Sequence, residues 1–114
     1  MIKKLVTATV LSMLLGTPPS YAGSFVNGNQ LVSDCRQNET SLQSVFCYGY
    51  IVGVFDKQSW DTTSDLRSCP PEGVTAGQTV AIVKKFLEEN PENLHYDAAS
   101  LVTFALAQAF PCSE

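Results

Sequence analysis

The chain has a single histidine, His95, and four cysteines spaced too widely for any Cys-x-x-Cys pair. A nucleophile–base pair or a three-ligand metal site has almost nothing to draw on, and the spacing argues against thiol redox chemistry. Basic residues are scarce too: seven Lys and Arg stand against eleven Asp and Glu, for a net charge of −4. Such a surface repels phosphate backbones, so nucleic acid is not an expected partner. No internal repeat, low-complexity tract or long block of like charge divides the sequence, which leaves room for one small domain. The N-terminal apolar run from Leu5 to Leu15, about eleven residues, falls short of the roughly twenty that a spanning helix needs.

What that short run does fit is an export signal. Lys3 and Lys4 supply a positive start, and Ser20-Tyr21-Ala22 places small residues where a signal peptidase reads them. No cysteine stands at the cleavage point, so a lipid anchor is not expected. Residues 1–22 therefore read as a signal peptide and residues 23–114 as a single domain, with no membrane contact after cleavage. The domain belongs in an oxidising compartment, where an even set of cysteines pairs. Loss of Lys3 and Lys4 takes the net charge from −4 to −6. An acidic surface of this kind suits a basic protein partner, or serves solubility alone.

Turn chemistry divides the domain into four apolar segments, and the fold class expected is all-α: a small four-helix domain. Asn27-Gly28-Asn29 offers an N-cap ahead of Leu31 and Val32. Residues 36–40 are a polar connector. Residues 41–56 carry Leu42, Val45, Phe46, Tyr50, Ile51, Val52, Val54 and Phe55 on every side of a helix, which predicts a buried central one. Gly49 and Gly53, one turn apart, would admit a neighbouring backbone. A strand over residues 48–55 competes, because that run is rich in β-branched and aromatic residues. Residues 57–68 are polar and read as a loop. Thr75-Ala76-Gly77-Gln78 matches a capping box, and Val80, Val83, Phe86 and Leu87 follow at helical spacing until Asn90-Pro91. Ala98, Leu101, Val102, Ala105, Leu106, Ala109 and Phe110 form the apolar stripe of a last helix, with Asp97 in its first turn and Pro111 at its end.

The last two helices, joined by the short connector 90–94, should lie antiparallel. Cys69 precedes the first of them and Cys112 follows the second, so a bond between these two would clip the hairpin at its open end. Cys35 and Cys47 are then left for each other. Three connectivities are possible in principle, and this one requires the least contortion.

An enzyme reading finds few candidates. His95 lies where the last helix begins, a capping or surface position. Glu88 and Glu89 sit on the polar face of a helix, and Asp61 and Asp65 share a loop; both pairs read as solvated surface. Asp56 reads as a helix-terminal hydrogen-bonding group. No catalytic residue, metal or cofactor is expected.

The ordered motifs resemble a known family. Phe25-x-x-Gly28-Asn29-x-Leu31, then Cys35, then Cys47-x-Gly49-Tyr50-Ile51-x-Gly53-Val54-x-Asp56 is similar to the first half of the Tai/Rap immunity proteins of type VI secretion systems. Cys69-x-Pro71-x-Gly73-Val74-Thr75-x-Gly77-Gln78, Glu89-x-Pro91 and Phe110-Pro111-Cys112 continue the resemblance in order. One departure is residues 57–68, polar here where more helix-forming residues would be expected. The resemblance implies a small helical periplasmic inhibitor, often dimeric. It would block the cleft of a papain-like peptidoglycan amidase injected by sibling cells and do no chemistry itself.

A contact surface for such a toxin is expected at the end of the second helix and the loop after it: Asp56, Lys57, Gln58, Trp60, Asp61, Asp65 and Arg67. Trp60 is the candidate anchor, unless it folds back over the core. Phe104 lies off the main stripe of its helix with Ser100 and Gln108, which motivates a homodimer contact there. The alternative from another class is an acid-protective periplasmic chaperone or envelope adaptor.

Overall fold

A computed structural model describes residues 24–61 and 64–113 of the chain; the export signal read over residues 1–22 lies outside them. The described residues form four α-helices, α1 (Gly28–Cys35), α2 (Leu42–Trp60), α3 (Ala76–Glu89) and α4 (Ala98–Ala109), with a short 3₁₀ helix at Pro91–Asn93. The all-α expectation holds, and the competing strand over residues 48–55 is helix. No helix among the described residues is long and apolar enough to cross a membrane.

Each helix starts on a side chain that accepts a backbone N–H, removing one of the unpaired donors of a first turn. Asn27 accepts from Gln30 N at 3.0 Å, and Ser41 from Ser44 N at 3.1 Å. Both halves of the capping box on α3 form: Gln78 N donates to Thr75 Oγ1 and Thr75 N donates to Gln78 Oε1. Asp97 accepts from Ser100 N at 2.8 Å, so it is the N-cap of α4 rather than a first-turn residue. At the far end of α3, Asn90 Nδ2 donates to Phe86 O, and Pro91 starts the 3₁₀ turn.

Two disulfides staple the bundle, as the hairpin geometry requires: Cys35–Cys47 and Cys69–Cys112. The first ties the end of α1 to α2. The second closes the open end of the α3–α4 hairpin, where Cys69 N also donates to Phe110 O at 2.7 Å. Backbone hydrogen bonds close the opposite end. Gly28 N and Asn29 N donate to Tyr96 O and Leu94 O, and Ala98 N donates to Val26 O. Gly28 is required by this approach. A Cβ there would stand 2.8 Å from both the Leu94 Cα and the Leu94 carbonyl oxygen, inside contact distance of a backbone that cannot swing away.

The core is built from one face of each helix, with Leu31, Ile51, Val83, Leu87, Val102 and Leu106 fully enclosed. Tyr50 reaches from α2 towards the start of α4, where burial and the Asp97 carboxylate push its hydroxyl above the ordinary value.

Three expectations for α2 need correction. It is not a helix buried all round: only Cys47, Ile51 and Gln58 are buried, while Leu42 is 85% and Val45 61% exposed. A Cβ on Gly49 or Gly53 would meet nothing within 4 Å, so no neighbouring backbone approaches either glycine. Helix α2 also continues past residue 56 to Trp60, so the loop starts later than the polar composition implies. Gln58 falls seven residues after Ile51 and keeps the inward stripe going. Ser59 Oγ donates to Phe55 O, and Lys57 pairs with Asp61 at 2.9 Å across the last turn.

Candidate interaction surface

The outward face of α2 runs through Leu42, Val45, Gly49, Gly53, Asp56 and Trp60, at helical spacing and all exposed. It is apolar at its start, bare in the middle and capped at its end by a tryptophan that is 86% exposed. Trp60 therefore projects into solvent and does not fold back over the core.

Around Trp60 the expected contact residues separate into two sets. Asp56, Lys57, Asp65 and Arg67 are exposed and Asp61 is half-buried. Asp56 lies a turn before the end of α2, not at a helix terminus as its sequence position implied. Gln58 is the exception, because it is only 5% exposed. Its Nε2 donates to the carbonyls of Leu66 and Thr103, so it ties the returning loop and α4 to the end of α2. It holds the surface in shape from beneath rather than standing on it. Between the end of α2, residues 64–66 and α4 lies a cleft of about 320 Å³, walled by Val54, Leu66 and Ala99 and bordered by Lys57, Asp61 and Ser100.

A second surface was not anticipated. Leu42, Val45, Phe46 and Tyr48 are exposed along the first half of α2, with Phe46 and Tyr50 rings 5.7 Å apart. Beside them opens a larger cleft of about 650 Å³ between α2 and α3, with the Cys35–Cys47 bridge in its wall and Glu39 and Lys84 at its margins. Sequence reasoning placed Leu42, Val45 and Phe46 on a buried helix because α2 lacks a polar face to mark the outside. Phe104 is 48% exposed on α4, and its ring packs 5.8 Å from that of Phe86 on α3.

Reactive groups are few. All four cysteines are bonded, and no three of His, Cys, Asp or Glu among the described residues are grouped to hold a metal ion. His95 is exposed beside the Tyr96 ring and caps nothing. The Asp97 carboxyl is held below the usual carboxylate range by its hydrogen bonds from the Ser100 side chain and backbone, a helix-cap effect. The arrangement offers rigid, shaped surface with a protruding aromatic, which is the equipment of a protein-binding module.

Against known proteins, a family model described as Rap1a immunity proteins matches residues 27–112. No curated protein matches the chain.

Proposed function

The chain belongs to the Rap1a immunity protein family, whose members act against a secreted effector, and from that membership we propose that it is a periplasmic inhibitor of a type VI secreted peptidoglycan amidase. It binds the amidase and blocks the active-site cleft, and performs no catalysis. The observation that carries this reading is Trp60: a large aromatic held out from the end of a helix whose last turn is braced by Gln58. Hot spots of protein interfaces are aromatic anchors of this kind on scaffolds that lose little freedom on binding. The two disulfides supply that rigidity. Asp56, Lys57, Asp61, Asp65 and Arg67 would supply the polar rim, with Gln58 holding the end of α2 from beneath. A negative chain also speeds encounter with a basic toxin, less so at higher salt.

A homodimer belongs to the same proposal. Phe104 with Phe86 is one candidate contact. The apolar start of α2, exposed beside the larger cleft, is another. Light scattering that finds only monomer at micromolar concentration removes this part. The exposed Leu42, Val45, Phe46 and Tyr48 also keep the chaperone alternative in view. Capture of unfolded clients at acid pH, without tight binding of one toxin near neutrality, would favour it.

The direct test delivers the amidase of the neighbouring locus to the periplasm of a sensitive host. Cells making the full chain survive, and cells making a version without residues 1–22 lyse. Trp60→Ala weakens toxin binding by about 2 kcal/mol or more and leaves the melting temperature nearly unchanged. Equal lysis in both strains removes the inhibitor reading for that toxin.

A further inference from the structure

Asn27-Gly28 is the one place in the chain where glycine follows asparagine; the other asparagines precede Gln30, Glu39, Pro91 and Leu94. Such a pair is chemically labile. Glycine has no side chain to hinder its own backbone nitrogen, which can attack the Cγ of the asparagine before it. Hydroxide takes the Gly28 N–H proton, the bond from that nitrogen to Asn27 Cγ forms, and the Cγ–Nδ2 bond breaks. Nδ2 leaves as ammonia with a proton from water. Water then opens the five-membered imide at one of its two carbonyls. Opening at Cγ leaves aspartate. Opening at the main-chain carbonyl leaves isoaspartate, whose main chain runs through Cγ and is one methylene longer.

The closed fold opposes this reaction at its first step. The Asn27 ψ of 173° sets the Gly28 nitrogen out of line with Cβ and Cγ, so the ring closes only after rotation about the Cα–C bond. Gly28 N donates to Tyr96 O and Ala98 N donates to Val26 O, each at 2.9 Å, which pins the backbone on both sides of Asn27. Gln30 N donates to Asn27 Oδ1 at 3.0 Å and holds the side chain over the first turn of α1. Gly28 is buried with its N–H engaged, so base reaches that proton only when this junction opens.

The packing that protects the pair also makes its loss permanent. A single carbon added to Gly28 would stand 2.8 Å from the Leu94 Cα and carbonyl oxygen. No slack is left there for a longer main chain, and an inserted methylene carries Gly28 N and Asn29 N out of register with the Tyr96 and Leu94 carbonyls. Aspartate could still cap α1, whereas isoaspartate cannot restore the junction. We propose that Asn27 is a modification site gated by the contact between the start of α1 and residues 94–98. Closed, the junction keeps the asparagine intact; opened, it deamidates to isoaspartate and does not close again. This one-way change retires the end of the bundle that has no disulfide, and it does not depend on the inhibitor reading.

The test ages the unaltered protein, Asn27→Ser, which keeps a cap, and Leu94→Ala, which loosens the junction from a site remote in sequence. Each is held in mildly alkaline buffer with both disulfides intact, and again reduced in concentrated urea. Peptide mapping and an isoaspartate-specific methyltransferase follow residue 27, and melting temperature follows the aged folded samples. Deamidation of the unaltered protein is expected to be slower by about ten-fold or more when folded than in urea, a ratio equivalent to an opening free energy of about 1.4 kcal/mol. Leu94→Ala raises the folded rate several-fold and leaves the rate in urea unchanged. Aged unaltered protein melts lower in proportion to its isoaspartate, and aged Asn27→Ser does not. Equal rates in folded and unfolded chains overturn the gate, as does a folded Leu94→Ala that reacts no faster than the unaltered protein. Isoaspartate at residue 27 with an unchanged melting temperature overturns the one-way change. Should Leu94→Ala fail to fold, urea below the unfolding midpoint opens the unaltered protein instead, and a rate that does not rise with urea overturns the gate.

Discussion

Helices α2 and α4 are both strongly apolar, yet they serve opposite purposes. Helix α4 buries Ala98, Leu101, Val102, Ala105 and Leu106 in one stripe and turns little apolar surface outward except Phe104. Helix α2 is longer, and of its three buried residues one is a cystine half and another a glutamine. Its outer face presents Leu42 and Val45 at one end and Trp60 at the other. A domain this small has too few elements to cover every apolar side, so apolar content does not rank its helices by depth. The uncovered helix is the one that carries the features of an interface, and the covered one holds the fold together.

The sharpest way to break that contrast is to truncate a side chain on each helix. Leu106→Ala, in α4, is expected to cost about 3 to 5 kcal/mol in urea unfolding, because it opens a cavity in a packed core. Val45→Ala, on the outside of α2, should change monomer stability by less than about 0.5 kcal/mol. Similar losses at both sites would mean that α2 is buried in the working protein, as a stable dimer would make it.

The disulfides come next. Replacing Cys69 and Cys112 together by serine should destabilise the chain by roughly 4 kcal/mol, against roughly 3 for Cys35 with Cys47, because loop entropy grows with the span closed. The spans are 43 and 12 residues. Thermal melting of the two double variants checks the order, and a reversed order would place the dominant constraint at the α1–α2 end.

Glycine substitutions separate packed from open backbone. Gly28→Ala meets Leu94 main chain and should cost about 1 to 3 kcal/mol. Gly49→Ala meets nothing and should stabilise the helix by up to about 1 kcal/mol. If Gly49→Ala stabilises the monomer but weakens self-association in sedimentation, a second copy approaches α2 closely at that point.

The smallest expected effect concerns the start of α4. Asp97→Ala removes the cap and should cost about 1 kcal/mol at neutral pH. Since the folded carboxyl titrates below its unfolded value, its contribution is full above the ordinary carboxylate range and fades as pH falls through the folded value. The difference between Asp97 and Asp97→Ala proteins should therefore shrink in acid, as read by melting temperature across pH. Asp97→Asn keeps a cap and should lack that pH dependence. A constant gap would assign the effect to packing instead.

Much of the fold was legible in local chemistry. Asn27, Thr75 with Gln78, Asp97, Asn90-Pro91 and Pro111 mark starts and stops because capping and proline act within a few residues of themselves. The pairing of Cys69 with Cys112 followed from the short connector between α3 and α4, which leaves an antiparallel hairpin with one open end. The family motifs gave the order of these pieces. Trp60 was legible as a candidate anchor, since a lone tryptophan in a polar stretch is conspicuous, but its exposure was not.

What the sequence by itself determined, then, is the helix boundaries set by caps and breakers, the all-α class and the cystine framework. All of these depend on neighbours along the chain or on simple closure. Only the tertiary structure decided which apolar residues face inward. It also decided that Gly28 rather than Gly49 or Gly53 is the glycine a backbone approaches, and that α2 runs on to Trp60. Those outcomes depend on partners far away in sequence: Leu94 against Gly28, and the Leu66 and Thr103 carbonyls that receive Gln58. A polar residue with its hydrogen bonds met can stand at a buried position, and an apolar one without a partner helix is left in water.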